Sequence, residues 1–150
     1  MKAFYAGPTK SKRMTVVIIE DEVFAARRLE NMIRECDAEI EVVAKLESAR
    51  DSIEWFKTNP QPDLIFLDIH LDDDLSFAIF KEVPISCNIV FTTATDELAT
   101  RAFAIKGIDF LLKPIIQSDL NRMIEKYRNK PQNSVTIEPY FFDDIVNSKY

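Results

Sequence analysis

PDLIFLDIHL, residues 62–71, holds the run that decides how this chain folds. Four large apolar residues, Leu64 to Leu67, lead directly into a carboxylate, Asp68. An unbroken apolar run of this length, fenced by polar residues, reads as a parallel strand covered on both faces. Three further runs share that build. Val16-Val17-Ile18-Ile19 ends in Glu20-Asp21-Glu22, Cys87 to Phe91 ends in Thr92-Thr93, and Ile108 to Leu112 ends in Lys113-Pro114. In an open parallel sheet the ligand crevice lies beyond the carboxyl ends of the strands. Four strand ends therefore carry carboxylates, a hydroxyl and an ammonium to one rim.

Outward from that stretch, strand and helix patterns alternate five times. Strands are expected at 14–19, 40–46, 63–67, 87–91 and 108–112, with helices at 23–36, 49–57, 75–82, 96–106 and 118–128. On the first helix Ala25, Leu29, Met32, Ile33 and Cys36 recur at helical spacing. On the second, Ala49, Ile53 and Phe56 point inward, and Trp55 falls off the stripe as a surface aromatic. Asn59-Pro60-Gln61-Pro62 breaks the chain before the third strand, and Pro84 ends the third helix. Gly107 stops the fourth helix as a left-handed cap, and Ser118 caps the last, whose Leu120, Ile124 and Tyr127 face inward. Repeated βα units impose right-handed crossovers. The expected architecture is α/β: a doubly wound five-stranded parallel sheet of flavodoxin-like order 2-1-3-4-5, flanked by five helices. Residues 1–13 read as a tail, 14–130 as the domain, and 131–150 as a C-terminal extension or linker.

Composition narrows the function. A hydrophobic content of 47% supports a packed core rather than disorder. A net charge of -6 argues against direct nucleic-acid binding, which needs clustered Lys and Arg; Lys10, Lys12 and Arg13 form only a short basic run in the tail. Cys36 and Cys87 lack CxxC spacing, and with His70 the sole histidine no Cys/His zinc site can be assembled. No membrane-length apolar stretch or signal-peptide pattern is present, so the expectation is a cytoplasmic protein without a membrane association.

The rim carries the chemistry. Two carboxylates about 4 Å apart repel by roughly 4 kcal/mol at an effective dielectric near 20. Gathering Glu20, Asp21 and Asp68 would consume much of a domain's stability of about 5–15 kcal/mol. A proton or a cation must relieve them, and few hard oxygen ligands with room for water suit Mg²⁺. With Lys113 and Thr93 nearby, the rim suits phosphoryl transfer, Asp68 acting as the nucleophile that forms an acyl phosphate.

At these residues the chain resembles the receiver domain of bacterial two-component response regulators. The matching motifs are IIEDE (18–22), PDLIFLDIHL (62–71), IVFTTATDE (89–97) and GIDFLLKPI (107–115). Their spacing is mutually consistent: Asp21 to Asp68 is 47 positions, Asp68 to Thr93 is 25, and Thr93 to Lys113 is 20. AARRLENMI, FTTA and FLLKPI look most like the receivers of LytTR-type regulators. The resemblance implies a signalling switch rather than an enzyme, in which Asp68 takes a phosphoryl group from a sensor histidine kinase or phosphotransfer protein. It implies Mg²⁺ held by Glu20, Asp21, Asp68 and the backbone carbonyl of His70. It further implies Thr93 and Lys113 as phosphoryl contacts, Phe110 as a switch aromatic, and a cis bond before Pro114. The fourth helix, fifth strand and fifth helix would form a homodimer face. Asp74 departs from a frequent glycine, and Asp72, Asp73 and Asp74 together crowd negative charge near the metal mouth. Thr95 and Leu98 replace frequent aromatics. The departure at Asp74 motivates an alternative reading, a degenerate receiver that docks a partner without phosphorylation.

Overall fold

The structure, a computed structural model, describes residues 13–74, 76–94 and 108–128. Five strands, β1 (Thr15–Ile19), β2 (Glu41–Leu46), β3 (Leu64–Asp68), β4 (Asn88–Thr93) and β5 (Phe110–Leu112), form one parallel sheet in the order β2-β1-β3-β4-β5. Four helices are described: α1 (Val23–Cys36), α2 (Ala49–Thr58), α3 (Phe77–Glu82) and α4 (Gln117–Arg128). The helix expected at 96–106, its Gly107 cap, the positions Thr95 and Leu98, and most of the two terminal segments lie outside the described residues.

Strand periodicity divides the core. Val17, Ile19, Ile65, Leu67, Ile89 and Phe91 face one side, where α2 and α3 supply Ala49, Phe56, Phe77, Ile79 and Phe80. Val16, Ile18, Leu64, Phe66, Val90 and Leu111 face the other, against Leu29 and Ile33 of α1 and Leu120 and Ile124 of α4. Every residue of β3 and β4 is buried, as the unbroken apolar runs demand. β2 lies at the edge and alternates exposed and half-buried residues.

Polar contacts lock the layers. At the amino end of the sheet, Thr15 N–H donates to Asp63 Oδ2 at 2.8 Å, while Asp63 N–H returns a bond to the Thr15 carbonyl at 3.0 Å. Gln117 Nε2 donates to the Met32 carbonyl at 2.9 Å, and Arg128 pairs with Asp37 at 2.6 Å, so α1 and α4 are joined near both ends of their contact. The Tyr127 hydroxyl donates to Asp109, which also receives Lys126 at 2.7 Å.

Several side-chain expectations need correction. The inward stripe of α1 is Ala26, Leu29, Glu30, Met32 and Ile33, with Ala25 and Cys36 half-buried on its flanks. Glu30 takes a core position because Arg34 at 2.7 Å and Lys45 at 2.6 Å neutralise it there. On α2 the expected inward residues hold, Ala49 and Phe56 buried and Ile53 half-buried against the core, and Ser52 is buried with them. Trp55 is not a surface aromatic: it is half-buried, packs against the core and meets Phe56 edge-on at 5.0 Å. Ser118 lies inside α4, which begins at Gln117, so it is not the cap.

Phe66 is fully buried at the centre of the sheet, whereas Val43 on the edge strand is 39% exposed. Phe66→Ala is expected to cost about 3–5 kcal/mol in urea unfolding and Val43→Thr about 0.5 kcal/mol or less. Equal losses would contradict this division of the core.

Candidate functional site

Parallel strands deliver their carboxyl ends to the same side, and that side carries the acids. β1 and β3 pair from Val16↔Leu64 to Ile19↔Leu67, so Glu20-Asp21 and Asp68 leave neighbouring strands at the same level. β3 and β4 pair as far as Asp68↔Thr92, which puts Thr93 one residue beyond the acid. Lys113 follows β5, and its N–H donates to the Thr93 carbonyl at 2.8 Å. Residues separated by 93 positions thereby come into contact.

One carboxylate oxygen from each of Glu20, Asp21 and Asp68 lies within 4.8 Å of the other two. Lys113 Nζ bridges two of the acids, at 2.6 Å from Glu20 Oε1 and 2.8 Å from Asp68 Oδ2. Glu20 Oε2 accepts the Glu22 N–H at 3.1 Å, and Asp68 Oδ1 accepts the His70 N–H at 3.2 Å. Glu20 and Asp68 are each 6% exposed, and Asp21 is half-buried. Three acids against one ammonium leave the pocket two charges short of neutral.

Protonation equilibria register that imbalance. Burial pushes the Glu20 carboxyl up from 4.5 to about 7; the bonds from Lys113 and Glu22 oppose the rise, and the Asp68 charge adds to it. For Lys113, burial disfavours the ammonium, but its bonds to Asp68 and Glu20 outweigh that cost and hold its pKa above the ordinary lysine value. The donor set fits a magnesium ion: hard oxygens only, few in number, on a cleft open at Asp21. Glu20, Asp21 and Asp68 would hold it, and one divalent cation would restore neutrality.

The structure brings together Glu20, Asp21, Asp68 and Lys113, with buried Thr93 at the end of β4. His70 follows with an exposed side chain. Phe110 is half-buried on the α2–α3 side of the sheet, paired across from Phe91. The Lys113–Pro114 bond is cis.

Two of the three loop acids, Asp72 and Asp73, bond different partners. Asp72 is exposed and hydrogen-bonds the Asp21 carboxyl, which raises its own pKa. Asp73 turns to α2 instead: Oδ1 accepts Ala49 N–H at 2.9 Å and Oδ2 accepts Arg50 N–H at 3.1 Å. Burial works to raise its pKa, and those two bonds outweigh it and lower the value. Ser48 caps the same helix through Asp51 N–H at 2.9 Å. Asp73 therefore satisfies orphan helix donors, while its charge still acts on neighbouring Asp72. Sequence reasoning missed this because the partners are more than 20 positions apart; the only local sign was Ser48 preceding Asp51, which marks the helix start.

A pH dependence follows for the metal-free protein. Between pH 4.5 and about 7 folded Glu20 keeps a proton that the unfolded chain has released. Its contribution to stability therefore falls as pH rises through that window. In EDTA, Glu20→Gln is expected to lose about 1–3 kcal/mol less than wild type between those pH values, measured by urea unfolding. Parallel profiles would contradict the assignment. Lys113→Met, which strands two buried carboxylates, is expected to cost about 3–5 kcal/mol without metal, a loss that Mg²⁺ partly restores. Thermal unfolding with and without Mg²⁺ checks it.

Comparison with known proteins places this geometry. Residues 16–125 match the response regulator receiver domain family. The sensory transduction protein LytT of Bacillus anthracis is 30% identical over 128 residues, covering 83% of this chain and 51% of that protein. LytT of Enterococcus faecalis is 33% identical over 119 residues, covering 75% of this chain and 47% of that protein. The chain thus spans about half the length of the curated relatives it matches. Among solved structures, the response regulatory domain of protein mrkE from Klebsiella pneumoniae is similar with a TM-score of 0.65 and 30% identity, covering 77% of this chain and 95% of that one. No helix among the described residues is long and apolar enough to cross a membrane. A parallel sheet of order 2-1-3-4-5, an acid trio at its carboxyl rim and a family match over most of the chain lead to one conclusion: this chain belongs to the response regulator receiver domain family.

Proposed function

We propose that this receiver works by phosphorylation of Asp68. The observation that carries the reading is the trio of Glu20, Asp21 and Asp68 bridged by Lys113, a charge arrangement suited to a phosphoryl group and a divalent ion. The donor is a sensor histidine kinase or phosphotransfer protein. An Asp68 carboxylate oxygen attacks phosphorus, the phosphorus–nitrogen bond of the donor's phosphohistidine breaks, and the departing imidazole takes up a proton. Mg²⁺, when bound by Glu20, Asp21, Asp68 and the His70 carbonyl, supplies neutralisation of the phosphoryl oxygens. Lys113 exchanges its bond to Asp68 Oδ2 for a phosphoryl oxygen, and Thr93 donates its hydroxyl to another.

That exchange is the switch. A group with nearly two negative charges draws Thr93 toward it, and the Phe110 ring turns into the space released. The output is a change of protein contacts, with homodimerisation through the segment 96–106, β5 and α4. The chain's chemistry ends with slow hydrolysis of its own acyl phosphate, so it acts as a cytoplasmic switch rather than as an enzyme on a separate substrate. The donor's landing place is the amino end of α1, where Phe24 is 74% exposed and borders a cavity of about 410 Å³ that Glu20 and Lys113 also line.

Acetyl phosphate with Mg²⁺, followed by intact-mass measurement, tests the reading. One phosphoryl mass is expected on the wild type and none on Asp68→Asn. Equal mass gain in the variant, or none in the wild type even with its kinase, would defeat it and favour docking without phosphorylation.

A further inference from the structure

The loop that follows Asp68 is closed on itself and tied to its surroundings on more than one side. Within it, Leu71 N–H bonds the Asp74 carbonyl at 3.1 Å, Ser76 N–H bonds the Ile69 carbonyl at 2.9 Å, and the Leu71 side chain is buried in the core. Ile69 N–H donates to the Thr92 carbonyl at 3.1 Å, and His70 N–H to Asp68 itself, so movement of this loop reorients the acid. Its tie to a helix is Asp73, whose two oxygens accept the first two amides of α2, at 2.9 and 3.1 Å.

We propose that Asp73 is a positioning residue for the cation and phosphoryl site, holding the Asp68 loop in its binding geometry by clasping it to the amino end of α2. The inference rests on the reading of the rim as a Mg²⁺ site and adds a residue that touches neither ion nor phosphoryl group. Its physical basis is preorganisation. Ion affinity scales with the fraction of molecules whose loop is already in place, and removing a helix-capping acceptor lowers that fraction. The coupling is reciprocal: an ion that fixes the loop also fixes the clasp, and so protects the Ala49 and Arg50 amides.

Ser48 provides the control. Its hydroxyl caps the same helix through the Asp51 amide, a bond that does not involve the loop. Mg²⁺ affinity is measured by Trp55 fluorescence or calorimetry in about 1 M salt, where a Debye length near 3 Å screens the charge lost with Asp73. Asp73→Ala is expected to weaken Mg²⁺ roughly three- to tenfold, Ser48→Ala less than about twofold, and Asp73→Asn, which keeps one capping oxygen, by an intermediate amount. In wild type, Mg²⁺ is expected to slow hydrogen exchange at Ala49 and Arg50 more than at Asp51, a readout that needs no variant to fold. Equal affinities for Asp73→Ala and Ser48→Ala, or unchanged exchange at Ala49 and Arg50 on saturation with Mg²⁺, would overturn the proposal. A wild type that binds no Mg²⁺ would defeat the cation site itself, and the proposal with it.

Discussion

The bridge from Lys113 Nζ to Glu20 and Asp68 is the interaction on which the rest of this site depends. Two buried carboxylates on adjacent strand ends are tolerable only with a positive charge between them. Lys113 supplies one such charge, and the rise of Glu20 to about 7 shows that one is insufficient when burial is this deep. With all three carboxylates ionised, the pocket lacks two positive charges. A divalent ion fits that deficit in charge and in ligand chemistry.

The fold places this deficit at one edge through simple geometry. Parallel pairing aligns the strand ends, and the two-residue period sends alternate side chains to the two halves of the core. Buried strands on either side of the switch point give the acids a rigid platform. The lysine arrives from the far side of the sheet and is tied by its own N–H to the end of β4. Rigid elements thus fix the three strand-borne groups, while the 93-position separation in sequence between Glu20 and Lys113 is closed by the topology alone.

What could be read in advance followed from periodicity and composition. The apolar runs ending in Asp68, Glu20 and Thr93 specify buried parallel strands whatever surrounds them, and the acids at their ends follow from where a parallel sheet must place them. Side-chain destinations across the structure were harder. Trp55 looked exposed because a helical wheel tracks Cβ positions and not the reach of an indole. Glu30 was absent from the stripe expected for the first helix, and one of its two cations, Lys45, comes from a different element. Asp72 and Asp73 were indistinguishable as letters, yet one meets Asp21 and the other caps α2. Each of these outcomes depends on a tertiary neighbour, which local patterning does not encode.

The claim that a divalent ion completes the pocket is tested most directly by anomalous diffraction from crystals equilibrated with Mn²⁺, an oxygen-seeking stand-in for Mg²⁺. The account predicts a single strong peak at coordination distance from the Asp21 and Asp68 carboxylates, lost in Asp68→Asn. Saturating Mn²⁺ that leaves this position empty, or occupies it equally well in Asp68→Asn, would contradict it.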